Sequence, residues 1–145
     1  MKQNKKYKYP LTKRELIDGL RHYNINNGQW KLPSVTTILN KTQPAEKREK
    51  LAAWRASKGE AEATRIVDES ASRGTAMHKI LEKYIIEDGY LDLTAVGQQA
   101  HSMAKQVIER GLCNVPEYYG TEVTLYYPGL YAGQTDLVAI HKGEE

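Results

Sequence analysis

Cysteine is almost absent: Cys113 is the only one among 145 residues. A single thiol makes no internal disulfide framework and no cysteine-based zinc cluster. Such scarcity suits a reducing, intracellular compartment. Long apolar runs are missing too. The longest is about five residues, around 137–140, where a membrane-spanning helix needs roughly 20, so no membrane partner is expected. The N-terminal segment Met-Lys-Gln-Asn-Lys-Lys-Tyr-Lys has no apolar core and few Ser or Arg, and fits neither a secretory signal nor a transit peptide. No internal repeat and no low-complexity tract occurs. What remains is an ordinary globular balance, 40% hydrophobic and 27% charged, in a chain long enough for one domain with a real core.

The net charge of +3 hides an uneven distribution. Residues 1–58 carry 14 Lys and Arg against 4 acids, a balance of +10, and residues 59–145 carry 7 against 14, a balance of −7. A basic front half suits contact with a polyanion, and an acidic back half can supply carboxylates to a metal. Two solvated faces of unlike sign would show the same numbers.

Local patterns predict a mixed α/β or α+β chain. Residues 1–10 read as a loose basic arm. Thr12-Lys13-Arg14-Glu15 has capping-box spacing, which predicts a short helix over 13–20. That divides the chain into an arm with a short helix, 1–20, and a main domain, 21–145. Asn26-Asn27-Gly28 between alternating segments predicts a β-hairpin over 21–32. Ser34 caps a short helix through Leu39. A helix over 45–57 carries Lys47, Arg48, Lys50, Arg55 and Lys58, with Leu51 and Trp54 facing inward and Gly59 as its stop. A helix over 60–72 follows, and Gly74 interrupts it or begins a new one. Met77, Ile80, Leu81, Tyr84 and Ile85 then form the stripe of an amphipathic helix. Thr94 opens another, with Val96, Ala100, Met103 and Val107 inward and Gly111 as its end. Segments 119–127 and 131–140, split by Pro128-Gly129, read as a second hairpin. Leu137-Val138-Ala139-Ile140 is apolar on both faces and predicts a central, covered strand.

Several residues carry possible chemistry. If the second hairpin turns through 128–130, Glu122 stands opposite Asp136, with Cβ atoms about 5 Å apart. Two carboxylates so close need a proton or a cation between them, and Mg²⁺ suits such a pair. A solvated edge Glu and a turn-bonding Asp are the plain alternative. His78 lies at the rim of its helix stripe, where it either bonds locally or reaches a strand carboxylate. Glu82 shares its face. Arg73-Gly74-Thr75 reads as a helix start whose free N–H groups, with the Arg73 fork, suit a phosphate. Ser34, Thr36 and Thr37 invite the same reading. Tyr7, Tyr9, Tyr23 and Trp30 interleave with Lys and Arg, a pattern suited to stacking on single-stranded nucleic acid or to burial.

Taken in order, Leu32-Pro33-Ser34-Val35-Thr36-Thr37-Ile38-Leu39, Arg73-Gly74-Thr75-Ala76-Met77-His78, Thr121-Glu122-Val123 and Tyr131-Ala132-Gly133-Gln134-Thr135-Asp136-Leu137-Val138-Ala139 resemble the PD-(D/E)XK nucleases of the RecB-like exonuclease branch, in the flavour of the phage exonucleases and the mitochondrial genome maintenance exonuclease. The resemblance covers roughly 21–141. It implies a restriction-endonuclease-like core, with an N-terminal β-hairpin and helices packed on a mixed sheet. It also implies Mg²⁺- or Mn²⁺-dependent hydrolysis of DNA phosphodiesters at single-stranded ends. By the same resemblance Asp136 and His78 match metal-site residues, and Glu122 an acidic residue on the preceding strand. Arg73 matches a basic position beside the site. The expected DNA-contacting set is Arg73, Thr75, Ser34, Thr36, Lys47, Arg48 and Arg55. For a phage-encoded chain the compartment would be the host cytoplasm.

The sequence departs from the family pattern after Asp136. The family places Asp/Glu-x-Lys on the next strand, and residues 137–145 contain no such triplet. The expectation is therefore a C-terminally incomplete nuclease domain, inactive alone or completed by a second chain that supplies the missing strand. The competing expectation is a noncatalytic module that binds single-stranded nucleic acid on the same scaffold.

Overall fold

The computed structural model describes the whole chain, Met1–Glu145. It is an α+β fold of two small three-stranded sheets and four α-helices.

The first sheet is an antiparallel meander of β2 (Thr12–Ile17), β3 (Leu20–Ile25) and β4 (Trp30–Pro33). The helix expected over 13–20 is not formed. Ile17 pairs with Leu20 around Asp18 and Gly19, whose φ angles are 52° and 74°. A two-residue Asp-Gly loop with both φ positive is the turn that suits strand twist, and it overrides the capping-box spacing of Thr12 and Glu15. The hairpin between β3 and β4 forms as expected. Asn26 and Asn27 both adopt positive φ, and Ile25 pairs with Trp30 across the turn. Tyr23, Ile25 and Leu32 are buried on one face, with Trp30 packed beside them.

The second sheet has the order β1-β5-β6. β5 (Glu117–Tyr127) and β6 (Tyr131–Ile140) make the predicted hairpin. Residues 1–10 are not a loose arm. β1 (Lys2–Gln3) pairs in parallel with β5, Asn4 N–H donates to Tyr118 O, and the Tyr7 ring meets Tyr119 edge-on at 5.0 Å. Tyr9 packs over Gly120, where a Cβ would lie 2.7 Å from its ring. The boundary expected at residue 20 therefore dissolves: 1–20 is one edge strand of each sheet. Because β1 takes one flank, β5 is the central strand and β6 an edge, with residues 137–140 only half-buried. The two sheets meet where Ser34 bridges Ala132, and Ala132 completes the core of Tyr23, Ile25 and Leu32.

Helix α1 (Val35–Lys41) starts on Ser34, whose Oγ accepts the Thr37 N–H at 3.0 Å. Helix α2 (Ala45–Lys58) ends at Gly59, φ 84°. None of its residues is fully buried: Trp54 is half-buried, and Leu51, expected inside, is 51% exposed because only α3 packs against this helix to any extent. Helix α3 (Glu60–Ile85) runs unbroken through Gly74, about 39 Å at 1.5 Å per residue. Helix α4 (Ala95–Arg110) is capped by Thr94 and ends at Gly111. Its buried face is Gly97, Ala100 and Ala104; Met103 and Val107 are partly exposed. Small residues won that face because α3 and the preceding loop approach closely, and a Cβ at Gly97 would lie 2.2 Å from Asp92 Cγ. Ile80, Ala100 and Ala104 form the α3–α4 core, flanked by Met77, Leu81 and Tyr90. No helix is long and apolar enough to cross a membrane.

Candidate metal centre

The β5–β6 hairpin fixes the relation of Glu122 to Asp136. Tyr127 pairs with Tyr131 around a three-residue turn, and the same register continues through Val123↔Thr135 to Thr121↔Leu137. It places Glu122 opposite Asp136, as the turn length implied. That one pair is nevertheless missing from the ladder, because Glu122 has a φ of 50°. A non-glycine residue in the left-handed region costs about 1–2 kcal/mol. The strand itself bulges nearby, between Tyr118 and Gly120.

Helix α3 brings the third group. His78 Nδ1 lies 3.3 Å from Asp136 Oδ1, so the rim position reaches the strand. One potential ligand atom from each of His78, Glu122 and Asp136 lies within 4.8 Å of the others. Two ligands on opposite sides of a Mg²⁺ ion are about 4.2 Å apart, so a small closure of the side chains would suffice for one hexacoordinate ion. The two carboxylates match the oxygen-donor preference of Mg²⁺ and Mn²⁺, while the imidazole is a donor better suited to Zn²⁺, Fe²⁺ or Ni²⁺. The site is open: the His78 and Asp136 side chains are 46% and 68% exposed. Solvent therefore screens their mutual attraction, and room remains for water and substrate oxygens.

Two further residues join the cluster. Gln134 Nε2 donates to Glu122 Oε2, and Gln134 Oε1 accepts from Arg14 Nη2 at 2.6 Å. Gln134 is legible in principle, since it stands two residues before Asp136 and shares its strand face. Arg14 is not, because its segment reads as helix.

Beside the triad lies an open cleft of about 620 Å³ lined by Glu122 and, from α3, by Ala71, Gly74, Thr75, His78, Lys79 and Glu82. The α3 residues among them recur at three- and four-residue spacing, which is one helix face. Thr75 thus lies on the same helix face as His78.

The phosphate reading of Arg73-Gly74-Thr75 needs correction. These residues sit inside α3, where each N–H is taken by the carbonyl four residues earlier, so there is no helix start to offer free donors. Arg73 turns toward α4, with Nη1 at 3.4 Å from Gln99 Oε1, and also lies 4.0 Å from Glu69.

The other expected DNA contacts divide. Ser34, Thr36 and Arg48 line a separate cleft of about 450 Å³ with Arg21, Thr37 and Lys41. Ser34 is 2% exposed, and its hydroxyl is engaged with Thr37, so it serves the helix cap and not a ligand. Arg48 donates to the Asn40 and Lys41 carbonyls, both at 3.2 Å, and closes the end of α1. Arg55 pairs with Glu60 at 3.2 Å. Lys47 is exposed on α2. Comparisons with protein-family models, with curated proteins and with solved structures found no match.

Proposed function

We propose that this chain carries the metal centre of a nuclease that hydrolyses phosphodiester bonds at single-stranded DNA ends, with Mg²⁺ or Mn²⁺ held by His78, Glu122 and Asp136. The observation that carries the reading is the convergence of His78, from helix α3, with the hairpin carboxylates Glu122 and Asp136 to within 4.8 Å. Asp136 and Glu122 present oxygens and His78 a nitrogen to the ion. The exposed flank of the triad opens to the cleft, where the Thr75 hydroxyl can donate to a phosphate oxygen. When bound, the ion supplies positive charge at the phosphoryl oxygens and lowers the pKa of water. The chain's own part is to hold that charge beside the strand and to leave positions open to it.

The test is cleavage of single-stranded DNA labelled at either end, with Mg²⁺, Mn²⁺ or EDTA, beside Asp136→Ala. The reading expects that any cutting depends on the metal and is abolished both by EDTA and by the substitution. Cutting by Asp136→Ala at the wild-type rate would overturn it.

A second reading, noncatalytic binding of single-stranded nucleic acid, is favoured by the gathering of Arg21, Lys41 and Arg48 around one cleft. Lys142, meanwhile, sits in the turn after β6, its N–H bonded to Asn114 O. This reading expects binding that persists in EDTA and weakens steeply with salt.

A further inference from the structure

Glu122 is the least settled member of the triad. It belongs to a strand, has a left-handed backbone, and lies on a partly exposed surface. A carboxylate so placed has several rotamers, and only some bring it to His78 and Asp136. One neighbour fixes it. Gln134 Nε2 donates to Glu122 Oε2, and the amide cannot flip, because its Oε1 takes the Arg14 guanidinium at 2.6 Å. A flipped amide would set oxygen against carboxylate and NH₂ against guanidinium, and lose both bonds. Arg14 is itself anchored. Its guanidinium lies 6.0 Å from the centre of the Tyr23 ring, its cross-strand neighbour, and Tyr23 is 4% exposed in the core.

We propose that Gln134 is a positioning residue for the metal centre: it aims Glu122 at the ion, and Arg14 holds Gln134 in the orientation that does so. This rests on the reading that His78, Glu122 and Asp136 bind a divalent ion. The chain of contacts runs from the buried core of the first sheet, through Arg14 and Gln134, to a ligand on the second. It gives β2 a part in the site although none of its residues touches the ion.

The test is calorimetric titration of the full chain with MnCl₂, with electron paramagnetic resonance of the bound Mn²⁺. Gln134→Met keeps the length of the side chain and removes both polar ends. It is expected to weaken Mn²⁺ binding about tenfold, the low end for a residue that orients a ligand, and to change the Mn²⁺ spectrum while the metal-free fold melts as before. Arg14→Ala should weaken binding less, Arg14→Lys should recover it by keeping a donor, and Arg14→Ala with Gln134→Met should be no worse than Gln134→Met alone. Wild-type affinity in Gln134→Met would overturn the proposal. Additive losses in the double variant would overturn the part given to Arg14. Wild-type binding no tighter than that of Asp136→Ala would overturn the metal reading itself, and the positioning role with it.

Discussion

At the scale of single residues, Glu122 makes the sharpest claim. Its φ of 50° is a conformation glycine adopts at no steric cost. Glu122→Gly should therefore leave stability unchanged or raise it by up to about 1 kcal/mol in urea denaturation, while weakening Mn²⁺ binding. A clear loss of stability would mean that the side chain, not the backbone, holds this part of β5. Glu145 sets a second expectation. Its carboxylate accepts from Lys6, Tyr119 and Tyr7, which hold its pKa down to about 2. A depressed folded pKa gives stability that is present above the ordinary carboxylate range and is lost as pH falls through about 4.5 toward 2. The docking of residues 1–10 should loosen over that window, and Glu145→Gln should flatten the fall in melting temperature. At the other end of the scale, the same carboxylate pushes the Tyr119 hydroxyl up to about 12. The stability linked to Tyr119 should persist below about pH 10 and fade as pH rises through 12. The rim position of His78 was legible from helix geometry, but its reach to Asp136 was not, because it depends on which strand packs beside α3. The Glu145 contacts were not, since nothing local in the sequence ties Lys6 to the last residue of the chain.

At the scale of elements, the strands and helices that speak through turns and caps were legible, and those decided by packing were not. Asn26-Asn27-Gly28, the Ser34 and Thr94 caps and the 128–130 turn all formed where the residues placed them. In β2 two local signals conflicted, and the Asp18-Gly19 turn prevailed because it lets Thr12–Ile17 pair along its whole length with β3. Glycine in the middle of α3 misled in the opposite direction. Gly74 resembles a break, yet packing of the following turns on α4 carries the helix through it. A Cβ at Gly74 would meet nothing within 4 Å. Gly74→Ala should then stabilise the chain by about 0.5–1 kcal/mol, read by thermal or urea unfolding, because alanine is the better helix former. Destabilisation would show that the backbone at 74 departs from helix and would reopen the phosphate reading of Arg73 and Thr75.

At the scale of the whole molecule, the basic front and acidic back of the sequence touch at several points. β1 pairs with β5, Lys6 meets Glu145, and the Met1 amino group meets Glu87, so the halves of unlike sign are laced together. The division at residue 20 failed for another reason: it rested on a loose arm and a short helix, and both segments are strands. The pairing of β1 with β5 is a contact between distant segments, invisible to any local pattern. What survives folding is narrower: a basic cleft around Arg21, Lys41 and Arg48, and the histidine–carboxylate cluster beside the α3 cleft.

Metal binding at that cluster is the central proposal. Counting bound Mn²⁺ by electron paramagnetic resonance as the ion is titrated into wild type, His78→Ala and Asp136→Ala tests it without assuming any substrate. One ion per wild-type chain, with binding weakened more than about 100-fold in Asp136→Ala and reduced in His78→Ala, is the predicted result, since loss of a ligand outweighs the 10–100-fold effect of losing a residue that only orients one. Equal binding by all three proteins, or none by wild type, would contradict the account.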